Sequence, residues 1–194
     1  MLIRKKFSVE SAHIVRNCTS HRCSHSVHGH SAEIEVLFEG TIPDNAGMLV
    51  DFGIMKGSVK SFIDSMDHCY LLWSKDNEEF KSFIKANCDR WIELPFNPSA
   101  ENLAVWIHSQ VQHIIDSTAF RNGEGKVSVN GVRYHETKSG WAQSSKEDIG
   151  KWIPEELLDA AVYSVGVQRD WDDDLNQIFS GGVAINPLIP QQVK

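Results

Sequence analysis

His28 and His30 flank Gly29 at a spacing of two, and His13 lies upstream of them. On a strand, that spacing puts both imidazoles on one face, and Gly29 lets the backbone and a ligand come close. If the strand ending at His13 pairs with the one starting at His28, three imidazoles converge at one end of a sheet. Three neutral imidazoles with one position left open are the pattern of a catalytic zinc site. A rival set remains open on residue types alone. Cys18, Cys23, His28 and His30 lie close together in the chain and would make a closed structural site with no room for chemistry. Their spacing matches no standard finger or knuckle. Cys69 and Cys88 read as buried filler, and a free thiol is otherwise a reagent.

The elements that must position these groups follow from periodicity. Residues 3–13 read as a strand, with Ile3, Phe7, Val9 and His13 on one parity. A polar loop, 17–27, carries Cys18, His21, Cys23 and His25. Residues 28–39 read as a second strand with Ile34, Val36 and Phe38 on its apolar face. Pro43-Asp44-Asn45-Ala46-Gly47 is a turn. Asp51 caps a helix over 52–66, whose Met55, Val59, Phe62, Ile63 and Met66 form a core-facing stripe. Residues 71–96 read as irregular, with a short helix at 78–86. Ser99 caps a long helix over 100–117, with Glu101 in its electropositive first turn. A strand over 126–137 puts Val132, Tyr134 and Glu136 on one face, and a short strand is expected around Trp141. A weakly helical piece, 154–162, and a loop-rich end follow. The order strand, strand, helix, helix, strand, strand predicts an α+β domain: an antiparallel sheet covered on one face. No internal repeat is present.

The chain has 194 residues, 41% of them hydrophobic, which suits a single domain with an appendage and argues against disorder. Its net charge is −7, so bulk electrostatics exclude a general nucleic-acid binder. The acidity is concentrated from Ser139 onward, notably in Asp172-Asp173-Asp174, which read as a solvated face. No leader-like apolar core follows Met1 and no stretch is long enough to span a bilayer. The expectation is a cytoplasmic protein with reduced thiols and no membrane partner.

Six motifs occur in order: Phe7-Ser8-x-Glu10-Ser11-Ala12-His13, Cys23-x4-His28-Gly29-His30, Gly47-Met48-Leu49-Val50-Asp51-Phe52, Asp67-His68, Pro98-Ser99-Ala100-Glu101-Asn102 and His135-Glu136-Thr137. In these the chain resembles the 6-pyruvoyltetrahydropterin synthase family, and within it the bacterial branch of the 7-deazaguanine (queuosine) pathway. The resemblance covers about residues 1–142; residues 143–194 form a C-terminal extension of unknown role, expected to pack on the domain.

The resemblance implies a tunnelling fold, with four antiparallel strands and two helices on one face (ββααββ). Three chains would close a barrel and two barrels would stack into a homo-hexamer. It implies a lyase that converts 7,8-dihydroneopterin triphosphate to 6-carboxy-5,6,7,8-tetrahydropterin, acetaldehyde and triphosphate. The alternatives are a sister enzyme that only eliminates triphosphate, giving 6-pyruvoyltetrahydropterin, or a non-catalytic pterin or purine binder. It also implies roles. His13, His28 and His30 hold Zn2+. Cys23 moves protons on the substrate side chain, assisted by Asp67 and His68. Glu136 grips the pterin, and Glu101 helps form its pocket. Cys23 stands five residues before His28, with Ser24 where the shorter family pattern has its cysteine. Cys18, further away, is the rival thiol. Lys5, Lys6, Arg16, Arg22, Arg133 and Lys138 are candidates for the triphosphate.

Overall fold

Alternating burial builds the first two strands. In β1 (Leu2–His13) Phe7, Val9 and His13 turn inward; in β2 (His28–Gly40) Ala32, Ile34, Val36 and Phe38 are fully buried. The two pair antiparallel along their whole length, so that His13 faces His28 and Ser11 faces His30. Between them the connecting loop forms a short helix, α1 (His21–His25), which carries Cys23. The computed structural model describes residues 1–186; residues 187–194, the end of the C-terminal extension, lie outside the described residues.

The helix expected over 52–66 is divided at Gly57, whose ψ of −119° leaves the helical range, into α2 (Phe52–Lys56) and α3 (Ser58–Asp64). Its stripe of Met55, Val59, Phe62, Ile63 and Met66 is nonetheless fully buried. The following stretch is not irregular. It forms β3 (Cys69–Trp73), α4 (Glu78–Asn87) and β4 (Trp91–Leu94). The reason β3 escapes pattern reading is physical: Cys-Tyr-Leu-Leu is buried on both faces, so no alternation marks it. Then come α5 (Ala100–Asp116), β5 (Thr118–Phe120), β6 (Val127–His135) and β7 (Trp141–Ser145). As expected, Ser99 caps α5, its side chain accepting from the Asn102 amide.

The sheet therefore has seven strands rather than four, and it is mixed rather than antiparallel; with β8 (Val162–Tyr163) its order is β7-β6-β2-β1-β3-β4-β8. The expected antiparallel four are there, β7-β6-β2-β1. β3 adds to β1 in parallel, opposite Ser11–His13, and β4 adds in parallel to β3. The outermost strand, β8 (Val162–Tyr163), comes from the C-terminal extension.

That extension also forms α6 (Glu155–Leu158), α7 (Val165–Gln168), α8 (Asp173–Phe179) and β9 (Ala184–Asn186), which pairs with β5. Ile153, Leu158, Val167, Leu175 and Ile178 join one continuous core with α3, α5 and the sheet. Asp172 is no mere solvated charge: its carboxylate accepts from the Leu175 amide at 2.7 Å and caps α8.

Candidate metal centre and active site

The hairpin register sets the histidine cluster. Because His13 closes β1 and His28 and His30 open β2 on the same parity, their rings meet with centroids 4.7 to 5.2 Å apart. One nitrogen from each ring lies within 4.8 Å of the others. Two carbonyls orient the rings. His13 Nδ1 is 2.8 Å from the Pro98 carbonyl and His28 Nδ1 is 3.0 Å from that of Ser26. Each Nδ1 donates there, which leaves Nε2 as a lone-pair atom. The Nε2 atoms of His13 and His30 are buried without any hydrogen-bond partner. Burial, then the two neighbouring imidazoles, lower the pKa of His13 to about 4, so it is a neutral ligand at neutral pH. A neutral His13, the buried unpartnered nitrogens of His13 and His30, and His28 beside them fit a metal ion. Gly29 permits the tight pairing beneath them: a Cβ there would lie 2.9 Å from the Ser11 carbonyl oxygen.

Neither Cys18 nor Cys23 joins the cluster, and both thiols are free. Cys23 is half-buried on α1. Its carbonyl accepts from the Val15 amide at 2.9 Å, which ties the cysteine helix to the end of β1. Arg16 braces the same loop, bonding Asp76 at 2.7 Å and the Ser24 carbonyl at 3.2 Å. It is thus engaged in holding the loop.

Asp67 and His68 form a pair. Asp67 Oδ2 is 2.8 Å from His68 Nδ1, while Oδ1 accepts from the Glu10 amide at 2.7 Å. Partial burial opposes ionisation of Asp67, but the bonds from Glu10 and His68 outweigh it and hold the carboxyl below its usual range. His68 sits in the left-handed region at φ 52°, a strained setting for a residue with a Cβ. A cleft of about 570 Å³ has both His30 and His68 in its walls, with Ser11, Gly29 and Arg90. The cleft thus brings one member of each group, His30 of the cluster and His68 of the pair, to one space.

Glu136 follows β6, and its Oε1 is 3.6 Å from the Nε2 of both His13 and His30. The carboxylate therefore stands against the cluster. Glu101 is exposed in the first turn of α5; what its motif contributes to the site is the Pro98 carbonyl. Pro98 and Ser26 were not identifiable as functional, because a backbone acceptor leaves no mark in residue type.

The family described as 6-pyruvoyl tetrahydropterin synthase matches residues 2–157 of this chain. A Helicobacter pylori (strain ATCC 700392 / 26695) protein named 6-carboxy-5,6,7,8-tetrahydropterin synthase is 39% identical over 184 residues, 93% of this chain and 92% of its own. Its counterpart in strain J99 is 39% identical over 175 residues, 89% of this chain and 88% of its own. Among solved structures, an uncharacterized Wolinella succinogenes protein aligns with TM-score 0.61 and 22% identity, over 75% of this chain and 98% of its own. Caenorhabditis elegans 6-pyruvoyl tetrahydropterin synthase aligns with TM-score 0.53 and 19% identity, over 75% and 94%.

Proposed function

The chain belongs to the 6-pyruvoyl tetrahydropterin synthase family, and from that premise we propose that it is a 6-carboxy-5,6,7,8-tetrahydropterin synthase. It takes 7,8-dihydroneopterin triphosphate and water to 6-carboxytetrahydropterin, acetaldehyde and triphosphate, a step of 7-deazaguanine formation. The observation that supports the mechanism is the cleft whose walls hold both His30, of the three-histidine cluster, and His68, of the carboxylate–imidazole pair.

His13, His28 and His30 would hold zinc, the ion suited to three imidazoles and an open position. When bound, zinc supplies Lewis-acid stabilisation of charge on substrate oxygen. The protein's own groups handle the protons. Cys23 takes the proton from the side-chain carbon beside the pterin ring. Asp67 fixes the His68 ring through Nδ1, which leaves Nε2 to relay the proton. Glu136 turns its carboxylate from the imidazoles to the pterin's N3 and 2-amino donors, a two-point edge that one carboxylate accepts. Glu101 borders the pterin pocket. The homo-hexamer expected of this family would form by edge pairing; β7 and β8 are the two edges of the large sheet among the described residues.

The experiment is product analysis of zinc-loaded protein with 7,8-dihydroneopterin triphosphate. Acetaldehyde, read by NADH oxidation with alcohol dehydrogenase, should appear in proportion to triphosphate. Triphosphate without acetaldehyde, with a pterin that keeps three side-chain carbons, would assign the sister elimination instead. Pterin binding with neither product would assign a binder.

A further inference from the structure

Arg90, one residue ahead of β4, lies in the wall of the cleft that contains His68. A guanidinium has five N–H donors, and each of these has an acceptor. Nε gives to the Asp67 carbonyl at 2.9 Å. One terminal nitrogen gives to the carbonyls of Asp64 at 2.8 Å and Ser65 at 3.4 Å. The other gives to the Gly166 carbonyl at 3.1 Å and to the Asp170 carboxylate.

The first three acceptors end α3 and lead into the Asp67–His68 turn. The last carbonyls of a helix have no partner within it, and a cation there is favoured. The other two acceptors belong to the C-terminal extension. The side chain is 16% exposed. With every donor spent inward, the guanidinium has none left for a substrate phosphate. It is a clamp and not an anion site.

The turn it grips needs one. His68 has a left-handed backbone, a conformation disfavoured for a residue with a Cβ. Its side chain is 77% exposed and its ring's hydrogen bond is to Asp67. The extension grips the same region again. Trp171 Nε1 donates to Ser65 Oγ at 2.8 Å, and the Asp172 amide donates to Ser61 Oγ at 2.9 Å. Gly166 fits so closely that a Cβ would stand 2.3 Å from the Asp89 carbonyl oxygen.

We propose that Arg90 is a positioning residue through which the C-terminal extension holds Asp67 and His68 in place for proton transfer. This rests on the reading of Asp67–His68 as the proton relay. The test compares kcat and KM of zinc-loaded wild type, Arg90→Ala, His68→Ala and the double variant. Arg90→Ala should lower kcat ~10- to 100-fold with KM nearly unchanged, since misplacing a relay costs the transition state and not binding. On the His68→Ala background the same change should cost less than about twofold, because the group it positions is gone. Arg90→Lys should recover only part of the rate, as an ammonium cannot reach five acceptors. If Arg90→Ala does not fold, Arg90→Lys carries the same comparison. An equal loss on both backgrounds, or a raised KM at constant kcat, would overturn the proposal. Wild-type turnover in His68→Ala alone would overturn the relay itself, with no Arg90 variant involved.

Discussion

The Nδ1 of His13 is 2.8 Å from the carbonyl oxygen of Pro98. That single contact selects the tautomer whose Nε2 faces His28 and His30, so the α5 entry motif helps prepare the metal site from a distance in sequence. Purified protein should carry about one zinc per chain. The His28→Ala/His30→Ala double variant should carry none by metal analysis. Full zinc occupancy in that variant would remove the cluster as the metal centre.

The two loop thiols are distinguishable by what each loses. Cys23 lies outside the histidine cluster, so Cys23→Ala should keep zinc and pterin binding while turnover falls by ~100-fold or more, as for loss of an acid–base group. Loss of zinc would make Cys23 a ligand. Lost turnover in Cys18→Ala with normal Cys23→Ala would show that the other thiol, whose Sγ now bonds the Ser20 carbonyl, does the chemistry.

Glu136→Gln keeps shape but turns one acceptor into a donor. Facing the pterin's donor edge, the amide nitrogen is mispaired at a cost of about 1–3 kcal/mol, or roughly a ten- to hundredfold weaker complex. Calorimetry with a pterin ligand reads this directly. An unchanged affinity would take Glu136 out of the pterin pocket and leave it with the imidazoles it touches.

His108 is wholly buried, bonded to Ser144 Oγ at 3.1 Å and the Val129 carbonyl at 3.3 Å. Burial pushes its pKa from 6.5 down to about 4. Between those values the unfolded chain binds a proton that the native one refuses. Stability therefore falls as pH drops from about 6.5 toward 4 and levels off below. The whole contribution is roughly 3 kcal/mol. Urea unfolding of wild type and His108→Gln, compared at pH 7 and pH 4.5, should show a flatter dependence in the variant. Parallel dependences would mean that this histidine titrates normally.

The sequence by itself determined the cluster of His13, His28 and His30. A two-residue spacing on one strand, met by a histidine of matching parity at the end of another, has few outcomes once the strands pair. The same holds for the Met55–Met66 stripe and the Ser99 cap, because each is a local pattern with its own period or hydrogen bond. The pairing of Cys23, Asp67, His68 and Glu136 with roles came from whole motifs, since single residues of these types have many fates. Only the tertiary structure decided the rest. β3 was hidden because burial on both faces erases alternation, and with it went the parallel half of the sheet. Pro98, Ser26 and the acceptors of Arg90 act mainly through backbone oxygen, which every residue possesses. A contact made by the common backbone carries no signature in residue type, so the fold alone reveals that Arg90 joins the Asp67 turn to Gly166 and Asp170.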